Sequence, residues 1–533
     1  MPSLTHFINF NQMKNTAGNK NQTDAERRNK VANMKTTILF LILLLALSAL
    51  ASWERTFGGS EYDYGFSVEQ TSDGGYIIAG KTSSFGADSG DVYLVKTDDS
   101  GDTVWTRTYG GSSNDYGESV AQTSDGGYIV AGVSYSYGAG GSDVYLIKTD
   151  AEGDTIWTRT YGGSQNDYGY SVAQTADGGY IVAGYTASFG EGSYDVYLVK
   201  TDDSGDTVWT RTYGGSGYDV SYSVAQTADG GYILAGGTDS YGAGQDDVYL
   251  IKTDADGDSL WTRTYGGSVD DCGYSVSQSG DGGYIVAGWT HSFGAGSADV
   301  YIVKTDGVGD TIWTRTYGGS GYDVGLSISQ TSDGGSIITG YTNSFGAGSY
   351  DVYLVKTDAV GVTMWSRTYG GSVEDYGFSV TQTSDDGYII TGRTNSFGAG
   401  GLDIYLIKTD SLGYAGIEES SPFAKPEAFD ISAFPNPFNS AVTISIDAPV
   451  ETQDLASLQT EIFDVNGRIV DNISVGEGPR AFPSREHTGV LPYEFIWQPS
   501  PTLGSGIYLV RAKIGPSTGS GTASTSKRIV YLK

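Results

Sequence analysis

Short runs in which apolar and polar residues alternate dominate the chain, and they predict β-strands. Four such runs follow one another in residues 118–161, and they lie at 118–123, 128–134, 143–149 and 155–161. The connections at 124–127 and 150–154 are rich in Gly and Asp, which is typical of tight hairpin turns. No window places apolar residues at the spacing of an amphipathic helix. The pattern therefore predicts an all-β protein built from short antiparallel strands.

The four-strand unit repeats along the chain with a fixed period of 52 residues, marked by a tryptophan in the fourth strand. The seven tryptophans are Trp53, Trp105, Trp157, Trp209, Trp261, Trp313 and Trp365. A period of this length indicates a propeller or a solenoid, and four antiparallel strands in each unit favour the propeller. We predict a seven-bladed β-propeller over residues 52–411, with a solenoid of β-arcs as the alternative.

The two ends of the repeat region predict how the ring closes. A tryptophan strand at 53–57 precedes the first complete unit. The last unit has its third strand at 403–408, but Tyr414-Ala415-Gly416 stands where its tryptophan strand should be. We expect the N-terminal strand to complete the seventh blade, because this pairing covers two edges that would otherwise invite aggregation.

The segment that leads into the fourth strand resembles known propellers. Residues 148–157 read KTDAEGDTIW, which resembles the tryptophan-docking repeat of quinoprotein-type propellers. The whole unit is similar to the repeats of secreted bacterial β-propeller proteins. The resemblance implies that each tryptophan packs between neighbouring blades. It extends to the architecture only, since the quinoprotein dehydrogenases have an eight-bladed ring and this sequence holds no counterpart of their cofactor site.

The repeated polar residues favour structural roles over catalysis. An arginine follows each tryptophan by two residues, as Arg107 follows Trp105, and we expect it to pack or to pair with a repeated aspartate. Aspartates recur in every unit, whereas an active site needs its acid once. His291 is the one histidine of the repeats, so no Ser-His-Asp set can be assembled. We predict that the propeller is not an enzyme and has no cofactor; a propeller hydrolase is the less favoured alternative.

The turn at 254–258 raises the question of calcium. Asp254, Asp256 and Asp258 alternate in the way that suits a hard cation. Other units lack the middle acid, and Val362 and Tyr414 replace the last one. We interpret the segment as a hairpin turn, with a calcium site as the alternative.

The net charge of the chain limits the classes of partner that it can bind. Lys and Arg number 31 and Asp and Glu 63, so the formal net charge is −32. Such a surface repels nucleic-acid backbones and anionic membranes, and we expect neither as a partner. Cys272 is the single cysteine, which excludes a disulfide framework and a cysteine-based metal site.

An apolar run near the N-terminus predicts export. The apolar run Ile38–Leu47 is about half the length of a membrane span. It is followed by Ala49-Leu50-Ala51, the small-x-small pattern of a signal peptidase site. We predict a signal peptide over 34–51, with residues 1–33 as an upstream segment that is not translated. The alternative is an uncleaved anchor, but we expect no stable transmembrane span.

The C-terminal part changes character after the repeats. Residues 412–432 predict a linker, and 433–533 predict a small Ig-like β-sandwich with a hairpin at Asn466-Gly467. The PNPFN motif at 435–439, the DVNGR turn, the GIY strand and the basic last strand occur in that order. They resemble the C-terminal sorting domain of the type IX secretion system and the related FlgD-like modules. The resemblance implies handling by the type IX machinery and a protein that is extracellular or attached to the bacterial outer surface. A plain Ig-like spacer is the alternative.

Comparison of the seven units indicates where a ligand would bind. Consecutive connections in a propeller alternate between its faces, so the longer Gly-rich loops share one face, and binding usually occurs on loops. The position after the second strand's glycine varies among units, as Lys81, Val133, Tyr185, Gly237, Trp289, Tyr341 and Arg393. Two residues later stand Ser83, Tyr135, Ala187, Asp239, His291, Asn343 and Asn395. One position of the first strand varies too, as Phe66, Glu118, Tyr170, Tyr222, Tyr274, Leu326 and Phe378.

Positions that differ among otherwise similar blades are either unconstrained or adapted to a ligand. We predict a binding ring on the long-loop face, whose members are Tyr185, Trp289, Tyr341 and Arg393, with His291 and Asn343 as polar neighbours. Such residues are typical of recognition surfaces. Aromatic faces beside Asn and Asp suit carbohydrate, so a glycan is the first ligand hypothesis and a protein the second. A passive surface or adhesion scaffold is the non-binding alternative.

Overall fold

The computed structural model describes residues 52–87 and 89–415, together with seven strands in the C-terminal part of the chain. Every regular element within the described residues is a β-strand. The chain divides into two compact units, Met1–Glu418 and Glu419–Lys533. Seven four-stranded antiparallel sheets make up the described part of the first unit. The predicted seven-bladed propeller is therefore confirmed.

Each blade runs from an innermost strand beside the axis to an outermost strand at the rim. Blade 1 contains β2 (Asp63–Gln70), β3 (Tyr76–Thr82), β4 (Asp91–Thr97) and β5 (Thr103–Tyr109). Blade 2 contains β6 (Asp115–Gln122), β7 (Tyr128–Ser134), β8 (Asp143–Thr149) and β9 (Thr155–Tyr161). Blade 3 contains β10 (Asp167–Gln174), β11 (Tyr180–Thr186), β12 (Asp195–Thr201) and β13 (Thr207–Tyr213). Blade 4 contains β14 (Asp219–Gln226), β15 (Tyr232–Thr238), β16 (Asp247–Thr253) and β17 (Ser259–Tyr265).

The remaining three blades follow the same plan. Blade 5 contains β18 (Asp271–Gln278), β19 (Tyr284–Thr290), β20 (Asp299–Thr305) and β21 (Thr311–Tyr317). Blade 6 contains β22 (Asp323–Gln330), β23 (Ser336–Thr342), β24 (Asp351–Thr357) and β25 (Thr363–Tyr369). Blade 7 contains β26 (Asp375–Gln382), β27 (Tyr388–Thr394), β28 (Asp403–Thr409) and, as its outermost strand, β1 (Trp53–Phe57).

The N-terminal strand closes the ring as predicted. β1 pairs antiparallel with β28, so that Trp53 stands opposite Lys408 and Phe57 opposite Ile404. The Tyr405 hydroxyl donates to Glu54 Oε2 at 2.5 Å across the same pair. The closure ties the two ends of the propeller together without a disulfide.

The hydrophobic core is divided among the interfaces between blades. Ile77 and Leu94 of blade 1 pack with Tyr128 and Ile147 of blade 2, and all four are almost fully buried. Trp105 lies in the same interface, with its ring edge on Tyr128 at 5.8 Å between centroids. Burying each large apolar side chain stabilises the fold by about 2–3 kcal/mol. Stability therefore depends on every blade having its neighbour.

The arginine after each tryptophan pairs with the next blade. Arg107 Nε donates to Asp154 Oδ1 at 3.3 Å, while its guanidinium lies 5.5 Å from the Trp105 ring centroid. Where the aspartate is absent, Arg315 donates to the Val360 carbonyl at 3.3 Å instead. The predicted arginine–aspartate pairing is confirmed for five of the seven arginines.

The turn aspartates hold a buried lysine. Asp125 Oδ1 accepts hydrogen bonds from the Thr123 hydroxyl at 2.5 Å and from the Gly127 N–H at 3.0 Å. Asp125 Oδ2 lies 2.9 Å from Nζ of the buried Lys148. Burial acts to raise the pKa of Asp125, but these hydrogen bonds and the lysine charge lower it to about 2. The other six blades carry the same ion pair.

A second set of aspartates lies in pairs at the blade interfaces. Asp91 of blade 1 and Asp115 of blade 2 are 2% and 0% exposed. Their carboxylates flank Gly110, where a Cβ would stand closer than 3.0 Å to an oxygen of each. Burial and the neighbouring Asp115 raise the pKa of Asp91. The first glycine after each tryptophan strand is therefore required by this close approach.

Side-chain hydrogen bonds join the innermost strands into a closed circle. Ser67 Oγ of blade 1 accepts the Val120 N–H of blade 2 at 3.2 Å. The same bond recurs at the five following interfaces. At the last interface, Ser379 Oγ accepts the Val68 N–H at 3.3 Å. These strands surround the central channel of the propeller.

The C-terminal unit contains two antiparallel sheets. One has the strand order β29 (Asp430–Phe434), β30 (Val442–Pro449) and β33 (Val490–Trp497). The other has the order β32 (Ile469–Ser474), β31 (Leu458–Phe463), β34 (Gly506–Ile514) and β35 (Ala523–Tyr531). Ile462 of β31 is fully buried. The hairpin at Asn466-Gly467 lies outside the described residues.

The predicted upstream segment and signal peptide also lie outside the described residues. Among the residues that are described, no helix is long and apolar enough to cross a membrane. At the other end of the propeller, Asp410–Tyr414 form a turn in which the Asp410 N–H donates to the Tyr414 carbonyl at 3.0 Å. Ala415 then bridges to Thr409 and packs on the core between blades 6 and 7.

Candidate binding site

The two faces of the propeller carry different connections. In blade 1, tight turns at 71–75 and 98–102 lie on one face. The longer connection at 83–90 and the link between blades at 110–114 lie on the other, which we call the long-loop face. Asp115 N–H donates to the Gly90 carbonyl at 2.7 Å, so the two connections support each other.

A β-bulge in each innermost strand opens towards the channel. β6 begins at Asp115 rather than at the predicted 118, and its register with β7 shifts between Gly117 and Ser119. Glu118 is therefore left without a cross-strand partner. The equivalent bulge residues form what we call the channel ring: Phe66, Glu118, Tyr170, Tyr222, Tyr274, Leu326 and Phe378. Aromatic neighbours in this ring are in contact, as the Tyr222 and Tyr274 ring centroids are 4.4 Å apart.

A second set of side chains surrounds the channel nearer the long-loop face, and we call it the channel mouth. Its members precede the bulge glycine or its equivalent, and they are Tyr64, Tyr116, Tyr168, Val220, Cys272, Val324 and Tyr376. The bulge register places Tyr376 opposite Arg393 and Tyr168 opposite Tyr185. Directly opposed residues of a pair of strands share a face. The variable positions at the end of each second strand therefore lie beside the mouth.

Five of the six predicted site residues lie in one arc across blades 5 to 7. The Arg393 guanidinium lies 4.3 Å from the Tyr376 ring centroid and 5.3 Å from that of Tyr64, which belongs to blade 1. The Tyr341 ring lies 4.5 Å from Tyr376 in a T-shaped contact. Tyr341 and Arg393 thus meet on a shared aromatic neighbour.

The other end of the arc carries an indole and an imidazole. The ring centroids of Trp289 and His291 are 4.8 Å apart, and the Trp289 side chain hydrogen-bonds to Tyr274 of the channel ring. His291 lies 6.2 Å from the ring of Tyr322. Asn343 Oδ1 accepts the Tyr322 backbone N–H at 2.5 Å. These contacts make a continuous surface of aromatic and polar groups.

Tyr185 lies apart from this arc, in a tyrosine cluster on blades 3 and 4. Its ring is stacked on Tyr168 at 4.7 Å and packs edge-on against Tyr194 at 4.9 Å. Tyr194 continues to Tyr218, which is 51% exposed. The channel ring joins this cluster to the arc on blades 5 to 7, because contacts run from Tyr185 through Tyr170, Tyr222 and Tyr274 to Trp289.

Several residues of this surface are absent from the predicted set. Tyr64, Tyr168 and Tyr376 of the mouth form the ring contacts that connect the predicted residues. Tyr322 and Tyr194 stand on the loops beside it. The residue before the bulge glycine also differs among the seven units, and this variation is the signal that points to the mouth.

The cations of the mouth are held by aromatic faces. Lys81 Nζ lies 4.5 Å from the Tyr116 ring centroid and 3.5 Å from its hydroxyl, and burial lowers the pKa of Lys81. Burial raises the pKa of Tyr341 to about 12. Burial raises the pKa of Tyr116 as well, so the mouth offers neutral tyrosine faces near neutral pH.

Two of the three turn carboxylates that suggested calcium, those of Asp254 and Asp258, are engaged within the protein. Asp254 Oδ1 accepts the backbone N–H groups of Asp256 and Asp258 at 3.0 and 2.8 Å. Asp258 pairs with Arg211 at 3.2 Å. In the part of the chain that the structure describes, no group of three or more His, Cys, Asp and Glu side chains is placed to hold a metal ion. The turn geometry accounts for this acid pattern.

The C-terminal unit matches a known family. Residues 432–481 match the family of secretion system C-terminal sorting domains. The match confirms the predicted type IX sorting domain and its handling by the type IX secretion machinery. The chain is therefore a seven-bladed β-propeller protein that is secreted or attached to the outer surface.

Similarity to other proteins is partial. The chain is 29% identical over 206 residues to the regulatory protein FlaEY of Caulobacter vibrioides, in an alignment that covers 32% of this chain and 22% of that protein. The chain thus spans less than a quarter of the length of this relative. Nothing about the whole relative's activity transfers to this chain on such a span.

Two solved structures are similar at low identity. A puromycin hydrolase mutant complexed with PGG is 15% identical with a TM-score of 0.42, over 76% of this chain and 60% of that one. An endo-1,5-alpha-L-arabinanase from Thermotoga petrophila RKU-1 is 12% identical with a TM-score of 0.27, over 66% of this chain and 99% of that one. Neither likeness is close enough to carry an argument about activity.

Proposed function

We propose that the protein is a non-catalytic binding protein that recognises a glycan at the channel mouth of its long-loop face. One observation carries the proposal. The contacts that build the scaffold repeat from blade to blade, whereas the residues around the mouth differ from blade to blade and gather there as aromatic, amide and cationic side chains. Packing of the scaffold does not require such a set of residues, whereas these residue types are typical of recognition surfaces.

The exposure of the aromatic residues supports binding. Tyr135, Tyr218 and Tyr322 are 40%, 51% and 44% exposed on the long-loop face. Grouped exposed aromatic rings mark an interaction site more often than an idle surface. Trp289 and Tyr341 supply flat apolar faces for the C–H face of a sugar ring, and His291 and Asn343 supply polar groups beside them. This combination favours a glycan over a protein, which is the rival ligand.

The same surface argues against catalysis. His291 contacts the rings of Trp289 and Tyr322, and neither neighbour is a nucleophile that an imidazole activates. The Asp91 and Asp115 type pairs recur at all seven interfaces, as expected for scaffold carboxyls. A hydrolase would require activity that disappears with one particular residue, and this surface presents no such nucleophile with its base.

The test is a broad glycan array probed with the exported chain. Trp289→Val and Tyr341→Val are suitable variants, because blade 2 carries Val133 at the same position and shows that the site tolerates valine. Leu260→Ala serves as the control, since Leu260 is an exposed residue on the outermost strand of blade 4, the neighbour of the blade that carries Trp289. The natural protein and each variant are tested on the array once with calcium and once with a chelator.

We expect glycan signals that Trp289→Val and Tyr341→Val remove and Leu260→Ala retains, in chelator as in calcium. A blank array would overturn the glycan hypothesis and favour a protein partner or a passive scaffold. Signals that all three variants retain would place binding away from the mouth.

A further inference from the structure

Glu118 is the single acid among the seven residues of the channel ring. Its ring neighbours are Phe66 of blade 1 and Tyr170 of blade 3, and the remaining members are aromatic or aliphatic. Glu118 is half-buried as a residue, and its carboxyl group is enclosed by protein. Every equivalent position in the other blades is uncharged, so a glutamate is not a requirement of the bulge.

The Glu118 carboxylate has no partner among the described residues. No hydrogen bond or ion pair reaches it, and burial raises its pKa to about 7. The two cations of the mouth are occupied elsewhere, because Lys81 lies over Tyr116 and Arg393 lies over Tyr376. A buried carboxylate that is left unpaired is unfavourable. A positively charged group bound in the channel would therefore stabilise the Glu118 carboxylate.

We propose that the channel binds an ammonium group of the ligand, with Glu118 as its counter-charge and the aromatic rings as its walls. The inference rests on the proposed function, since the group enters through the same mouth. Ammonium groups are recognised by aromatic faces together with a carboxylate. The protein's own cations already adopt this geometry, since Lys81 Nζ lies 4.5 Å from a tyrosine ring centroid at the mouth. The ligand class is thus an amine-bearing glycan, such as one that contains an amino sugar.

The surroundings of Glu118 exclude other classes of ligand group. An anionic group would meet an acid in a chain of net charge −32. The titratable groups that face Glu118 are Tyr116 on its own strand and Tyr170 on the next blade, and burial raises the pKa of both. Blade 1 presents Phe66. Glu118 is therefore the group whose protonation changes near neutral pH in this part of the channel.

The probe is n-butylamine, with 1-butanol as its neutral counterpart, and binding to the exported chain is followed by ligand-observed NMR. We expect n-butylammonium to bind at about pH 8 and to bind at least about tenfold more weakly at about pH 5.5, where Glu118 is protonated. We expect 1-butanol to bind weakly at both. Glu118→Gln should abolish the amine binding and its pH dependence.

Glu69→Gln is the matched control. Glu69 is also a half-buried glutamate on an innermost strand, but its Oε2 accepts the Gln122 N–H at 2.7 Å. We expect this variant to bind the amine as the natural protein does. Equal amine binding by Glu118→Gln, equal binding of 1-butanol, or no amine binding at either pH would overturn the inference.

The two proposals fail separately. If the array signals depend on Trp289 while n-butylamine does not bind, the mouth is a glycan site and only the ammonium inference is wrong. If n-butylamine binds through Glu118 while the array signals ignore Trp289, the channel site stands and the glycan site at the mouth is wrong.

Discussion

Replacing Glu118 by glutamine isolates the energetic consequence of a buried, unpaired carboxyl. Burial raises the pKa of Glu118 from 4.5 to about 7 in the folded protein. Between these two values the folded state keeps a proton that the unfolded state has lost. Folding stability therefore falls as the pH rises from about 4.5 to about 7, and the full penalty is present above the folded pKa.

The magnitude follows from the size of the shift. Each unit of pKa difference corresponds to 1.36 kcal/mol, so the penalty above neutral pH is about 3 kcal/mol. The side chain keeps some contact with channel water, which reduces the penalty to about 2–3 kcal/mol. We expect Glu118→Gln to be more stable than the natural protein by this amount at about pH 8, and to show no such gain at about pH 4.

The assay is urea denaturation followed by tryptophan fluorescence across this pH range. Seven tryptophans stand in the interfaces between blades, so their emission reports the loss of propeller packing. The difference in unfolding free energy between the two proteins should grow with pH and level off above about pH 7. A difference that does not change with pH would refute the reasoning, because it would mean that Glu118 titrates alike in the folded and unfolded states.

Three further changes test the scaffold. Gly110→Ala should lower the unfolding free energy by more than about 2 kcal/mol, because the new Cβ meets the flanking carboxylates. Gly126→Ala has open space around the new Cβ, so it should lower the unfolding free energy by only about 1 kcal/mol, for its positive φ. Equal losses would contradict the carboxylate contact. Ser171→Ala should cost about 1–2 kcal/mol in the same denaturation, since the Val224 N–H loses its partner; an unchanged midpoint would contradict this. Trp53→Ala should lower the unfolding free energy by about 3–5 kcal/mol, because it weakens the strand that closes the ring. It should also promote aggregation, which light scattering measures. A variant that remains a stable monomer would contradict the ring closure by β1.

The architecture was accessible from the sequence because it is repeated. One unit alone would be weak evidence for a propeller blade. The same strands and hairpin turns recur in seven units at one fixed period, so each unit supports the interpretation of the others. The closure by β1 follows from counting strands at the two ends. The role of the arginine followed from its position beside a repeated aspartate.

The composition of the site was less accessible because a bulge changes the register. With Gln70 opposite Tyr76, a regular hairpin would place Tyr64 opposite Thr82. The bulge moves Tyr64 opposite Lys81 instead, and alternation along a single strand does not reveal this shift. The tyrosines of the mouth were therefore missed, although the variable positions beside them were identified.

The distribution of the predicted residues around the mouth also depends on partners that periodicity does not show. Arg393 reaches the arc because Tyr376 and Tyr64 lie on either side of it. Tyr185 joins the tyrosine cluster because Tyr168 and Tyr194 surround it. Equivalent positions in seven blades thus acquire different neighbours, and only the three-dimensional contacts separate them.

The most direct test of the central claim is to locate the bound ligand by oxidative footprinting of the exported chain. The array's strongest glycan is added, and the oxidation of each tryptophan and tyrosine is compared with and without it by mass spectrometry. We predict protection of Trp289, Tyr341 and Tyr322, with no change at Trp105 in its blade interface. Protection on the tight-turn face or the outermost strands, with the mouth residues unchanged, would contradict this prediction.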